Sequence, residues 1–152
     1  MDMTGEYRIP ASREIVWAAL NNADVLRACI PGCETLEKTS ETTMVALVVQ
    51  KIGPVKAKFT GAVELVNIIA PESYKIQGEG VGGVAGFAKG SADVSLTPDG
   101  DGTILAFKAH AMVGGKLARL GSRLIDSTAK KLANKFFSNF HEYLTDQNKP
   151  AA

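Results

Sequence analysis

Residues 116–144, KLARLGSRLIDSTAKKLANKFFSNFHEYL, decide the fold of this chain. Apolar side chains recur in this stretch every three or four positions, the spacing of one face of a helix. The pattern predicts a single helix of about 30 residues, about 45 Å long. An apolar stripe of this length requires another layer of the protein to cover it. The stripe consists of Leu117, Leu120, Leu124, Ile125, Ala129, Leu132, Ala133, Phe136, Phe137, Phe140 and Leu144.

The covering layer is predicted from the residues before the helix, where apolar or small side chains alternate with polar ones. This alternation is typical of antiparallel strands that have one buried face and one wet face. Gly53-Pro54 and the segment PDGDG at 98–102 provide turns between the strands. The predicted strands of this region cover residues 43–51, 55–66, 74–80, 88–96 and 105–111.

The N-terminal residues add a short strand and two short helices. Glu6–Ile9 reads as the strand, Ser12 is placed to cap the first helix, and Ala23–Cys29 forms the second helix before Pro31-Gly32. This order predicts an α+β helix-grip fold, a curved antiparallel sheet of about six to seven strands wrapped around one long C-terminal helix. We expect one domain over residues 1–146 and a short disordered tail over residues 147–152.

The composition is that of an ordinary globular protein, with 45% hydrophobic and 22% charged residues. A net charge of +1 gives no field that would attract nucleic acid, so no nucleic-acid partner is expected. The first residues lack the pattern of a secretory signal, and no apolar run approaches the roughly 20 residues that span a bilayer. We therefore expect a cytoplasmic protein, with contact at the inner face of the cell membrane as an extension of that prediction.

The inward positions of the predicted sheet are unusually small. Gly61, Gly78, Gly80, Gly90, Ala92, Ala109 and Ala111 share the inward phase. Small residues facing a helix indicate either tight packing or a void. The glycine-rich run from Gly78 to Gly90 should bend the sheet away from a straight helix, which favours the void.

A void of this kind is typical of a binding site for an apolar small molecule. Thr128 has two interpretations, since its hydroxyl can face a ligand carbonyl or bond back to its own helix. The predicted ligand-binding residues are Phe59, Val63, Tyr74, Ile76, Gly90, Ala92, Phe107, Ala109, Leu120, Leu124 and Thr128.

Residues suited to catalysis or metal binding are scarce. Neither His110 nor His141 has a carboxylate at a spacing that would orient it as a general base. Cys29 and Cys33 lack the other ligands of a zinc site and do not have the redox C-x-x-C spacing, so they read as small apolar residues beside a turn. The sequence therefore predicts no catalytic residue, no metal site and no covalently bound cofactor.

Basic residues outnumber acidic ones on the predicted final helix. Arg119, Arg123, Lys130 and Lys135 all project from the side opposite the apolar stripe. Two interpretations stay open for this face. It is either an ordinary solvated surface or a docking surface for an acidic partner or an anionic membrane.

The sequence also resembles a known family through several short motifs. The motifs are Pro10 with Val16-Trp17, the turn Ile30-Pro31-Gly32-Cys33, GPVKAKF at 53–59 with Gly61, GGKLA at 114–118 with Leu120-Gly121, and Phe136-Phe137. In this order and spacing they resemble the CoxG family of carbon monoxide dehydrogenase subunits, a branch of the START-like (SRPBCC) superfamily. The resemblance runs from Gly5 to about Phe140.

The resemblance implies a non-catalytic accessory protein that accompanies molybdenum hydroxylases of the carbon monoxide dehydrogenase type. It also implies an apolar pocket, with a quinone-like or lipid-like ligand, and a link to membrane electron transport. Some members carry a C-terminal tail with a membrane anchor, whereas this sequence ends at Ala152, so only transient membrane contact is expected. Two alternatives stay open. One is an assembly or docking factor without a ligand, and the other is an enzyme of the cyclase or hydratase type.

Overall fold

The computed structural model describes the backbone of residues 1–147 and the side chains of residues 1–145. One seven-stranded antiparallel sheet has the strand order β1-β7-β6-β5-β4-β3-β2, and a long helix follows it, which confirms the predicted α+β helix-grip fold. The strands are β1 Asp2–Ile9, β2 Cys33–Lys38, β3 Thr43–Ile52, β4 Val55–Ile69, β5 Ser73–Val81, β6 Phe87–Asp99 and β7 Gly102–Gly114. The helices are α1 Arg13–Leu20, α2 Ala23–Cys29 and α3 Ser122–Gln147, with 3₁₀ turns at Gly83–Ala85 and Gly115–Leu120.

The first strand is longer than its side chains predict. β1 begins at Asp2 and pairs along its whole length with β7, from Asp2 opposite His110 to Ile9 opposite Thr103. The predicted start at Glu6 was wrong because the ladder is formed by backbone groups, which pair whatever side chains they carry. The buried hydroxyl of Thr103 donates a hydrogen bond of 2.7 Å to the carbonyl of Ala11.

The final helix begins later than the predicted residue 116. Gly121 has a φ of +90°, which no right-handed helix accommodates, so Gly115–Leu120 forms a separate 3₁₀ turn and α3 starts at Ser122. The turn buries Leu117, and it packs against the other 3₁₀ turn, which buries Ala85. Leu120 therefore lies in this turn and not on the helix stripe. Apart from Gln147, which ends α3, the predicted tail 147–152 lies outside the described residues.

The hydrophobic core fills one end of the concave side of the sheet. Val16 of α1, Leu105 of β7, and Phe140 and Leu144 of α3 are among its buried members. The other half of α3, residues 122–133, has no fully buried side chain. The core therefore anchors the C-terminal half of α3, while its N-terminal half lies over a less filled part of the sheet. Within residues 1–147, no helix combines the length and apolarity needed to cross a membrane.

Candidate ligand-binding chamber

An apolar chamber of about 320 Å³ lies between the sheet, α2 and the C-terminal half of α3. Its volume is at the lower end of the range for small-molecule sites, roughly 300 to 1,000 Å³. The sheet contributes Leu36, Met44, Val45, Ala46, Val48, Gly61, Val63, Leu65, Tyr74, Ile76, Val94 and Leu105, and the helices and the α2–β2 connection contribute Leu20, Leu26, Ile30, Phe136 and Phe137. Such a lining favours ligands with little polar surface.

An open groove of about 410 Å³ extends the chamber along the inner face of the sheet. The two spaces share Val48, Gly61, Val63 and Ile76, so they adjoin along the sheet. No described residue of α3 lines the groove, so the helix does not close it. The rest of the groove is lined by the small or apolar residues Phe59, Gly78, Gly80, Ala88, Gly90, Ala92, Ala109 and Ala111 and by the polar residues Glu79, Lys89, Ser91 and His110. A bound molecule longer than the chamber would therefore extend into this groove.

The glycines on the groove floor differ in what a side chain would meet. A Cβ atom on Gly61 would come no closer than 3.9 Å to any neighbour, and one on Gly80 would have its nearest neighbour at 4.0 Å. On Gly78 the nearest atoms would be at 3.5 Å, an ordinary contact. Only Gly90 has a steric reason to lack a side chain, since a Cβ there would lie 2.5 Å from the carbonyl oxygen of His110. Three of the four glycines therefore leave open space that a side chain would fit.

Seven of the eleven predicted ligand-binding residues line these spaces. Val63, Tyr74 and Ile76 line the chamber, and the groove contains Phe59, Gly90, Ala92 and Ala109 together with Val63 and Ile76. These residues share one phase of the sheet, with Ala92 paired with both Ile76 and Ala109.

The other four predicted residues line neither space. Phe107 stacks instead on Phe137, with ring centroids 5.8 Å apart, and on Tyr7 at 6.3 Å. Leu120 lies in the 3₁₀ turn, and Leu124 lies over the β3–β4 turn, 2.9 Å from where a Cβ of Gly53 would be. Thr128 is half-buried in the N-terminal half of α3. The three residues beyond β7 thus belong to the part of the chain that stands away from the groove.

Sequence reasoning missed the walls that α2 and β2 provide. Leu26 and Ile30 close the chamber beside Leu36, because α2 packs on β2. No local pattern identifies this contact, which joins two segments through tertiary packing alone. Phe136 and Phe137 also line the chamber, and their place on the apolar stripe was a signal that the predicted site did not use.

Tyr74 is the only described chamber residue whose side chain carries an oxygen or a nitrogen. Its ring meets Trp17 of α1 edge to face, with centroids 5.2 Å apart, and burial raises the pKa of its hydroxyl far above the usual 10. The described lining therefore contains no acid–base pair. His110 does not line the chamber but does line the groove, and its Nδ1 lies 2.6 Å from Oδ1 of Asp2, a contact that lowers the pKa of the Asp2 carboxyl. Within the described residues no three His, Cys, Asp or Glu side chains cluster as metal ligands would.

The exterior carries two features, a basic face and an exposed apolar patch. Arg119, Arg123, Lys130 and Lys135 are exposed, and none of them is in an ion pair within the described part of the chain. The second feature, which we call the apolar tip, consists of Val81, Val84, Phe87 and Met112, with Val84 85% exposed. Their strand neighbours Gly80, Ala88 and Ala111 line the groove. The apolar tip thus flanks the groove mouth, and Arg119 lies close to the tip because the two 3₁₀ turns pack together.

Comparisons with known proteins place this geometry in a family. A conserved protein from Geobacillus kaustophilus of known structure is similar, with 31% identity over 96% of each chain and a TM-score of 0.90. A START superfamily protein from Mycobacterium smegmatis shares 12% identity over 97% of this chain and 99% of its own, with a TM-score of 0.75. The Zhui aromatase/cyclase from Streptomyces sp. R1128 shares 12% over 100% and 98%, with a TM-score of 0.71. At 12% identity these last two likenesses show only the START-like fold.

A search of curated proteins found no match. The profile of one family of carbon monoxide dehydrogenase subunits, CoxG, matches residues 5–145, nearly the whole chain. The chain therefore belongs to the CoxG family of carbon monoxide dehydrogenase subunits.

Proposed function

We propose that this protein is a non-catalytic accessory protein that holds a quinone-like or lipid-like molecule between its sheet and α3, in association with a molybdenum hydroxylase of the carbon monoxide dehydrogenase type. The observation that carries the proposal is the apolar chamber of about 320 Å³ beside an adjoining open groove of about 410 Å³. A compact head group fits the chamber, and an apolar chain fits the groove. The family supplies the class of partner enzyme, because its name refers to a subunit of carbon monoxide dehydrogenase.

An enzymatic role is the weaker alternative. A cyclase needs groups that move protons at the substrate, and one of the similar structures is an aromatase/cyclase. Tyr74 is the only polar side chain in the described chamber lining, and its raised pKa keeps it neutral at ordinary pH. One neutral phenol without a neighbouring base favours binding over catalysis.

The groove mouth supports a docking role in the same proposal. Exposed Arg119 and Arg123 lie near the start of α3, and Val84 projects from the apolar tip on the same side of the molecule. Basic and exposed apolar groups together suit transient contact with an anionic bilayer, since the first attract the head groups and the second enter the interface. We place the protein in the cytoplasm, where such contact would be at the inner face of the membrane. Docking without any ligand is the alternative, for which the chamber would have no use.

The test begins with native mass spectrometry of the purified protein, in which a co-purified apolar molecule is expected. A titration with decylubiquinone follows, with the fluorescence of Trp17 as the reporter because its ring touches Tyr74 at the chamber wall. We expect saturable quenching that the Trp17→Phe variant lacks, although that variant still binds in calorimetry. An empty protein that shows only non-saturable partitioning would contradict the carrier role and leave the docking factor as the remaining candidate.

A further inference from the structure

The hydroxyl of Tyr74 is a buried polar group for which the fold provides no partner. The residue is 5% exposed, and its hydroxyl makes no hydrogen bond to any described residue. Two other hydroxyls of the same sheet that are not exposed do have partners. Thr103 donates to the carbonyl of Ala11 at 2.7 Å, and Tyr7 donates to Oδ1 of Asn134 at 2.6 Å. Buried polar groups are almost always paired, so an unpaired one calls for a physical explanation.

The Tyr74 oxygen still touches open space. Among the described residues, the only side-chain nitrogen or oxygen that is both sealed inside the protein and unpaired is Nε of Arg13. The Tyr74 oxygen is also unpaired but is not completely enclosed by protein atoms, so part of its surface faces open space. Tyr74 borders two spaces, the chamber and a shallow surface depression beside Ser73, Lys75 and Asp93. Its side chain shares the inward phase of Ile76, which also lines the chamber, and this phase favours the chamber as the space that the hydroxyl faces.

We infer that the Tyr74 hydroxyl is the polar contact for the ligand, donating a hydrogen bond to a neutral carbonyl oxygen at the buried end of an otherwise apolar molecule. The inference rests on the carrier function proposed above and adds a selection rule to it. A hydrocarbon leaves the hydroxyl unpaired, which penalises its binding. A carboxylate at the buried end is excluded for another reason, because the described chamber lining has no lysine, arginine or histidine to neutralise its charge, whereas Lys89 and His110 line only the groove. Burial keeps the phenol protonated, as its raised pKa indicates, so it remains a donor.

The chemistry fits two kinds of natural ligand, a quinone and the ester of a lipid. Both present a neutral carbonyl next to apolar surface, and the inference holds for either. Competition separates these sources. Decylubiquinone and methyl laurate are each tested for displacement of a fluorescent ketone, and laurate at pH 8 is the carboxylate that should fail to displace it.

The decisive experiment compares wild-type protein with Tyr74→Phe, using two neutral fluorescent probes. Acdan carries a ketone, and its emission moves to longer wavelength when that ketone accepts a hydrogen bond. N-phenyl-1-naphthylamine is of similar size and has no carbonyl. We expect the substitution to weaken acdan binding about 3- to 10-fold, the value of one net hydrogen bond, and to shift the bound emission to shorter wavelength. Binding of N-phenyl-1-naphthylamine should stay within about two-fold of wild type, because the phenyl ring is kept.

Thr128→Val is the matched control, since Thr128 also carries a hydroxyl but lines neither space. It should leave the binding of both probes unchanged.

Equal acdan affinity and emission in wild type and Tyr74→Phe would overturn the inference while leaving the carrier function standing. Equal loss of both probes would also overturn it, because the ring would then serve packing alone. If neither probe binds wild type, the carrier function itself fails. If Tyr74→Phe does not fold, the infrared carbonyl frequency of acdan bound to wild type is measured instead. A frequency equal to that of a ketone without a hydrogen bond would overturn the inference.

Discussion

Replacing Gly61 by valine tests whether the space between chamber and groove is real. Gly61 lines both, and a Cβ there would meet nothing closer than 3.9 Å. The substitution removes backbone freedom from the unfolded chain, worth about 0.4 to 1 kcal/mol. It also replaces a poor strand former with a good one, on a scale of about 1 kcal/mol. We therefore expect the free energy of unfolding to rise by about 1 kcal/mol, which raises the Tm by about 2 to 4 °C for a domain of this size.

The same substitution should impair binding, because two methyl groups would stand where chamber and groove join. Thermal unfolding and titration with N-phenyl-1-naphthylamine measure the two effects on one sample. Gly90→Val is the matched control, since its Cβ would lie 2.5 Å from the His110 carbonyl oxygen. Overpacking of this kind should lower stability by about 1 to 3 kcal/mol. If Gly61→Val is destabilised as much as Gly90→Val, the interior above Gly61 is filled and the reasoning is refuted.

Three further predictions concern the exterior and Tyr74. The double substitution Arg123→Glu and Lys130→Glu should change the free energy of unfolding by no more than about 0.5 kcal/mol. Co-sedimentation at low salt should show that the variant binds anionic vesicles or the dehydrogenase more weakly than wild type. Unchanged binding to both would mean that this face is only a solvated surface. Val84→Glu should reduce vesicle binding, whereas Ile69→Glu, an exposed residue at the opposite end of the sheet, should not; equal effects would argue against the apolar tip. Because burial raises the pKa of Tyr74, its contribution to stability is complete below pH 10 and is lost as the pH rises further. Urea unfolding should show that the free energy of unfolding falls more steeply above pH 10 in wild type than in Tyr74→Phe. Identical pH dependence of the two proteins would contradict the burial of this hydroxyl.

The inward phase of the sheet was predictable from the sequence because strand alternation leaves little choice. A shift of one residue in the pairing of β4 would turn Val63 and Leu65 to solvent and Glu64 to the buried face. The register is therefore fixed wherever one face of the sheet is buried. The same phase places Ile76 and Ala92 opposite each other in β5 and β6. Local periodicity thus sufficed to identify the floor of the site.

The walls and the helix start were not predictable, because they depend on contacts between distant segments. Leu26 closes the chamber only because α2 packs on β2. Gly121 is compatible with a helix in sequence, yet its φ is +90° where the 3₁₀ turn that buries Leu117 meets α3. Leu124 continues the apolar stripe, yet the distance between α3 and the sheet decides whether a stripe residue reaches the groove, and periodicity carries no information about that distance.

The glycines of the groove floor link the stability of the folded protein to the binding of a ligand. Gly61, Gly78 and Gly80 each have room for a Cβ atom, so no close contact requires glycine rather than alanine at these positions. Glycine inside a strand costs about 0.5 to 1 kcal/mol relative to alanine, roughly 1.5 to 3 kcal/mol for the three together. A ligand present at one hundred times its Kd stabilises the folded protein by about 2.7 kcal/mol. If the floor is kept open for a ligand, decylubiquinone should raise the Tm of wild type and leave that of Gly61→Val nearly unchanged. An equal rise in both would mean that the ligand binds elsewhere, because only the wild-type floor has the open space that it would fill.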